Sequence, residues 1–183
     1  MSIVITGNPG VGKHTVTKKI SQMKKFQILD INKIALDAGI YEKKNNTFNV
    51  DVTKLKKILK NKITTKSLVV GHLAPYVLTK SQVTKAIILR KSPYKLLSIY
   101  KKRKYPSKKI KENLESEILG IIAHDTIKKF GKTKICQLDT TSDSISKTVK
   151  KILNILDGEI ENDEIDWLTL ISKKDDLRKF FSY

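Results

Sequence analysis

The 183-residue sequence contains one cysteine, Cys136. An intramolecular disulfide is therefore excluded, and because Cys136 falls in an expected strand it reads as a buried, inert thiol. Tryptophan occurs once, proline four times, and aromatic residues make up 7%. No aromatic series interleaves with the basic residues, so a stacking platform for single-stranded RNA is not indicated. No apolar run approaches the roughly 20 residues that a membrane-crossing helix needs, so no membrane partner is expected. The segment Met1-Ser2-Ile3-Val4-Ile5-Thr6 is apolar but short and has no basic lead, so it reads as a first strand and not a secretion signal. A cytoplasmic location is the expectation. Arginine is scarce too: of 37 basic residues only Arg90, Arg103 and Arg178 are arginine.

Lysine is what the chain has in excess. Against 18 acidic residues the formal net charge is +19. Such an excess attracts polyanions, RNA among them. A lysine-dominated surface also arises from genome composition or adaptation to heat, and phosphate readers usually favour the planar fork of arginine. The length suits a single domain with its own core, expected over residues 1–183.

Along the chain, short apolar runs alternate with helical spacings. Ile3-Val4-Ile5 ends at Gly7, and Val16, Ile20 and Met23 then recur as one face of a helix. Strands are expected at Phe26-Gln27-Ile28-Leu29, at Ser67-Leu68-Val69-Val70-Gly71, at Ala86-Ile87-Ile88-Leu89 and over residues 133–138. The third run is apolar on both faces, as in a parallel sheet covered by helices. Asn32 can cap a short helix that stops at Gly39, and Asp51 caps another with Val52, Leu55, Ile58 and Leu59 on one face. Residues 41–49 are polar and read as a loop or flap. Pro93 opens a helix. A long helix from about Ser107 carries Ile110, Leu114, Ile118, Ile121 and Ile122, and a last sheet-packing helix covers residues 143–156. From Asp157 the chain turns acidic before Trp167, whose bulk favours packing on the domain. The fold class is α/β: a P-loop NTPase-like parallel sheet of about five strands with helices on both faces and right-handed crossovers.

Gly7-Asn8-Pro9-Gly10-Val11-Gly12-Lys13 has the spacing of a phosphate-binding loop, and it sits between a strand and a helix as that motif requires. Its glycines let backbone N–H groups converge on phosphate oxygens. The helix aims its positive end at the same anion, and Lys13 supplies a point charge for the β- and γ-phosphates. ATP is the expected ligand, with Mg²⁺. The position after Lys13 usually holds a hydroxyl that ligates Mg²⁺, but here it is His14, a poor ligand for an ion that prefers oxygen. Either water holds the metal, or Thr15 partly compensates, or metal-dependent turnover is impaired. Thr15 also suits the α-phosphate. No residue is assigned as a direct metal ligand.

Other candidates follow from position. His72 comes after a buried strand and a glycine, at the sheet edge where ligands bind; it can hold an attacking water or contact phosphate, or be structural. Arg90 ends a strand on that edge and reads either as a phosphate contact or as a surface ion pair. Asp30 reads as a metal or substrate contact, or as a helix cap. Arg103, alone among lysines in the basic turn 101–109, suits a lid that clamps ATP. His124 reads as structural or solvent-facing.

These segments resemble the adenylate kinase isoenzyme 6 family, also called coilin-interacting nuclear ATPase-like. The carriers are Gly7 to Lys13, Ala35 through Gly39-Ile40-Tyr41, Val69-Val70-Gly71-His72-Leu73, the stretch from Arg103 to Leu119, and Glu164-Ile165-Asp166-Trp167-Leu168. The resemblance implies phosphoryl transfer from ATP to AMP together with ATP hydrolysis. It also implies a role in small ribosomal subunit and rRNA maturation, through transient binding of a small-subunit ribosomal protein on a pre-ribosomal particle. By position, Gly10, Gly12, Lys13, His14, Thr15 and Arg103 would bind the nucleotide, and Lys13, His72 and Arg103 would be catalytic. Residues 30–52 would be the monophosphate flap, 103–113 the lid and 157–183 an acidic, aromatic tail. Two positions depart from the family pattern: His14 stands for a hydroxyl, and Val70 for an acidic residue two before His72.

Overall fold

The computed structural model describes residues 2–44, 47–160 and 162–181. Strand β1 (Ser2–Thr6) leads through the glycine loop into α1 (Lys13–Lys24), followed by β2 (Gln27–Asp30) and α2 (Ile31–Asp37). Next come β3 (Tyr41–Lys44), β4 (Thr47–Val50), α3 (Val52–Lys62), β5 (Ser67–Val70), α4 (Ala74–Val77) and β6 (Val83–Arg90). The chain continues with α5 (Pro93–Lys102), α6 (Ser107–Ile118), α7 (Ile121–Phe130), β7 (Ile135–Asp139), α8 (Ile145–Leu156), α9 (Trp167–Lys173) and α10 (Leu177–Phe180).

Five strands form one sheet in the order β2-β5-β1-β6-β7, and every pairing is parallel. Alternation along each strand sends side chains to opposite faces. Ile5, Leu68, Ile87 and Leu89 join Val16 and Ile20 of α1, Leu114 of α6 and Ile152 of α8 in one core. Val4, Val69 and Ala86 join Leu55 and Leu59 of α3, Ala74 and Phe130 in the other. Two buried faces explain why these strands lack polar alternation. Each large apolar side chain fully buried there contributes about 1.5–3 kcal/mol. With β1 at the centre, the loop from Gly7 to Gly12 leaves the carboxyl edge of the sheet between the ends of β5 and β6.

The C-terminal segment packs as the bulk of Trp167 implies. Trp167, Ile171 and Phe180 enter the first core, and the Asp166 side chain caps α9 by accepting from the Thr169 N–H at 2.9 Å. Cys136 is buried and unpaired. Among the described residues, no helix is long and apolar enough to cross a membrane.

Several local expectations change. The long helix from Ser107 is two helices, because Gly120 adopts a left-handed conformation at φ 64° and its N–H closes the end of α6 on the Glu117 carbonyl at 3.2 Å. The polar stretch 41–49 is not a loop: β3 and β4 pair antiparallel, Tyr41 opposite Val50 and Glu42 opposite Asn49. Asn45 and Asn46 lie outside the described residues. Asp30, not Asn32, caps α2. The last sheet-packing helix starts at Ile145, with Ser144 as its cap. Met23, expected on the apolar stripe of α1, is exposed at the helix end, and Thr17 occupies the buried face instead.

Candidate phosphate-binding site

The glycine loop is held from the scaffold side. Gly7 has φ 135°, and a Cβ there would lie 2.3 Å from the Leu89 carbonyl oxygen, so no larger residue fits. Gly12 precedes α1 at φ 99°, and no side chain caps the helix. The first-turn N–H groups of α1 therefore have neither an intrahelical nor a side-chain partner, which favours an anion at that end. The loop's carbonyls face donors from elsewhere in the fold. Pro9 O accepts from the Tyr100 hydroxyl at 2.6 Å, and Val11 O from the Thr140 hydroxyl at 3.1 Å. Asn8 O accepts from Lys13 Nζ at 3.1 Å, and the Asn8 amide donates to Glu117 Oε2 at 2.7 Å.

Above the loop opens a cavity of about 690 Å³, lined by Gly10, Gly12, Lys13, His14, Thr15, His72 and Arg103. The fold thus brings Gly10, Gly12, Lys13, His14, Thr15, His72 and Arg103 to one surface, while Arg90 and Asp30, the other sequence candidates, do not line it. The cavity also takes in Asn32, Tyr41 and Asn49 from the α2–β4 region, Tyr105 from the turn before α6, and Lys109 and Asn113 from α6. All six fall within the expected flap, 30–52, and lid, 103–113, though the sequence assigns none of them an individual binding role. The spacing of Lys109 and Asn113, four residues apart on one helix face, is the signal that marks them. No Asp or Glu lines the cavity among the described residues.

Its electrostatics favour an anion. Burial lowers the Lys13 ammonium to a pKa of about 8, with Asp30 and Glu117 opposing and Arg103 adding to the shift. Lys13 therefore remains a cation at neutral pH. Burial, then the neighbouring charges of which Lys13 is the largest, depress His72 to about 4, so its imidazole is neutral at pH 7. Lys109 lies 4.8 Å over the Tyr105 ring, which in turn stacks on Tyr100 at 5.5 Å.

A protein-held Mg²⁺ does not fit. His14 Nε2 is 3.1 Å from Asp30 Oδ2, and Asp30 Oδ1 accepts from the N–H groups of Asn32 and Lys33 at 3.0 and 3.2 Å. Burial pushes the Asp30 carboxyl up, but the His14 hydrogen bond and the backbone donors outweigh it and hold the group below the usual carboxylate range. Both Asp30 oxygens are engaged, and its capping role matches one of the two sequence readings. Val70 is buried where an acidic anchor would stand, and the described residues contain no cluster of three potential ligands. The arrangement presents backbone N–H groups and cations that suit an anion, and its described lining offers no carboxylate to a metal.

Arg90 takes neither role expected of it. It is 4% exposed, and its Nε donates to Glu117 Oε1 at 2.7 Å, so the pair is buried and lies outside the cavity lining. The β6 terminus points its side chain beneath the loop, where Glu117 waits on α6. His124 is solvent-facing.

The AAA domain family matches residues 3–120. A Saccharolobus islandicus protein named "Putative adenylate kinase" is 33% identical over 165 residues, covering 88% of this chain and 87% of that relative. The chain belongs to this archaeal family. A Thermococcus onnurineus member of the same name is 30% identical over 157 residues, covering 85% of this chain and 84% of its own length. In fold, the chain resembles shikimate kinase from Aquifex aeolicus, with a TM-score of 0.52 at 21% identity over 86% of this chain and 97% of that one. The five-stranded parallel sheet with helices on both faces is thus the P-loop kinase fold.

Proposed function

We propose that the protein is an adenylate kinase that transfers the γ-phosphoryl group of ATP to AMP and also hydrolyses ATP. The observation that carries this is the convergence of Lys13, Arg103 and Lys109 with a neutral His72 on one cavity at the carboxyl edge of the sheet. In the transfer, a phosphate oxygen of AMP bonds to the γ-phosphorus as the bond from that phosphorus to the β–γ bridging oxygen breaks, leaving two ADP. The AMP phosphate is already ionised near pH 7, so this step needs no strong base. A neutral His72 suits holding the attacking oxygen, or a water in hydrolysis. Gly10, Gly12, Lys13, His14 and Thr15 hold the ATP phosphates, and Arg103 neutralises charge that develops on them. Residues 30–52 act as the monophosphate flap and 103–113 as the lid, within one domain that spans the chain. Mg²⁺ arriving with ATP would supply charge neutralisation, and the described lining of the cavity would offer it no carboxylate. A coupled assay with AMP and Mg-ATP tests the reading: AMP-dependent ADP formation is expected, and a rate no higher than that of Lys13→Ala would reject it.

Val70 and the engaged Asp30 favour a second reading, in which turnover is slow and the nucleotide cycle gates a partner. That partner, by the resemblance to the isoenzyme 6 family, is a small-subunit ribosomal protein on a cytoplasmic pre-ribosomal particle. The net charge of +19 suits docking on RNA-rich surfaces. Under this reading Val70→Asp combined with His14→Thr raises a near-zero rate. Co-sedimentation with small-subunit precursors then depends on ATP, and indifference to ATP would count against it.

A further inference from the structure

Glu117 of α6 is fully buried, and its carboxylate accepts four hydrogen bonds from three separate parts of the fold: the end of β6, the C-terminal segment and the glycine loop. Oε1 takes Arg90 Nε at 2.7 Å, the Lys91 N–H at 3.1 Å and the Trp167 indole N–H at 3.1 Å. Oε2 takes the Asn8 amide of the glycine loop at 2.7 Å. Arg90 and the other two donors on Oε1 together offset the desolvation of the buried carboxylate. The bond to Asn8 does something else, because the carbonyl of that same residue accepts Lys13 Nζ at 3.1 Å. Glu117 also shares a helix face with Lys109 and Asn113, at spacings of four residues. Those two side chains line the cavity, while Glu117 reaches beneath the loop.

We infer that Glu117 is a positioning residue: it fixes the glycine loop through Asn8, sets that loop against the lid-bearing helix α6, and is itself braced by Trp167 of the C-terminal segment. The inference rests on the phosphate-site reading above. It makes the C-terminal segment, which does not line the cavity, a determinant of nucleotide affinity. When Lys13 leaves the Asn8 carbonyl for a phosphate, the change passes through Asn8 and Glu117 to the indole.

Replacing Glu117 itself would strand Arg90 and endanger folding, so the test cuts the two outer links. Asn8→Ala removes the loop's bond and leaves the ion pair; Trp167→Phe removes the indole donor and keeps most of the packing. Calorimetric titration with ATP, below each variant's unfolding temperature, reads the dissociation constant. A hydrogen bond to a charged group corresponds to a change of about tenfold or more, so Asn8→Ala is expected to weaken ATP about tenfold and Trp167→Phe about threefold. The chain has one tryptophan, so its emission is a direct reporter: ATP shifts it in the wild type, and saturating ATP does not shift it in Asn8→Ala. Either variant binding ATP as tightly as the wild type, or an emission shift that persists in Asn8→Ala, overturns the inference even if melting temperatures fall. A wild type that binds no ATP rejects the phosphate-site reading itself, and this inference with it.

Discussion

On the loop wall of the cavity, the Asn8 amide and the Pro9 and Val11 carbonyls each have a partner drawn from a distant element, and Lys13 is tethered within the loop to the Asn8 carbonyl. The opposite wall is a seven-residue helix, α2, and the two-stranded ribbon β3–β4. Its cavity-lining Leu36 is 49% exposed, and backbone bonds such as Ile40 N–H to the Ala35 carbonyl and Asp51 N–H to the Ile40 carbonyl, at 3.1 and 3.0 Å, anchor the ribbon. One wall is cross-linked by side-chain hydrogen bonds into both the sheet and the C-terminal segment; the other is seated on the second core through Ile31 and Ala35 of its short helix, and its ribbon is held by backbone bonds, the kind of element that opens locally at lower cost. The difference matches two demands. A phosphate donor site gains from preorganised charge, whereas the site for a second substrate must admit and release it.

Substitutions should separate the two walls. The largest stability loss is expected beneath the loop: Arg90→Met leaves the Glu117 carboxylate buried without its cation and should cost about 3–5 kcal/mol in urea unfolding. Adding Glu117→Gln to it should recover part of that loss. Lys13→Ala should lower kcat/KM for phosphotransfer by about 10²–10³-fold, the scale of removing one preorganised contact, with little change in melting temperature. Next in size is a pH effect. The folded-state pKa of His72, about 4, lies below its ordinary 6.5, so the unfolded chain binds more protons between those values. Its stabilising contribution is complete above pH 6.5 and is lost as pH falls towards 4, on the order of 2 kcal/mol. Denaturant titrations of His72→Asn should show a flatter profile across that window. Raising pH through about 8 deprotonates Lys13 in the free protein, so ATP affinity should decline, by less than tenfold per pH unit. Smallest of all, Leu36→Ala on the flap wall should move stability by no more than about 0.5 kcal/mol while altering KM for AMP. A stability loss there as large as that of Arg90→Met would erase the contrast.

The same contrast explains what could be read in advance. The Gly7–Lys13 spacing, the two-faced apolar strands and the bulk of Trp167 are local signals, and each implies its own environment. Glu117 is not legible in this way. It sits among Glu112 and Glu115 in a charged helix, and nothing in that pattern marks it as the member that turns inward to Arg90. The helix break at Gly120 was visible as a glycine, but the left-handed turn there depends on how α7 must lie to bury Phe130 beneath β6. The β3–β4 ribbon escaped because its pairing is carried by backbone bonds, which lysine- and asparagine-rich side chains do not signal.

Lys13 resting on the Asn8 carbonyl has a consequence for how the site meets its ligand. A solvated lysine surrenders up to about 2 kcal/mol of rotamer freedom when it is immobilised. Here that ordering occurs when the chain folds, since the buried ammonium is already tethered within the loop. An arriving phosphate exchanges one acceptor for another at an ammonium whose position is set. On the proposed function, the site would meet ATP with its charge in place, and association should be limited by diffusion and by the opening of the other wall, not by the search of a side chain for its partner.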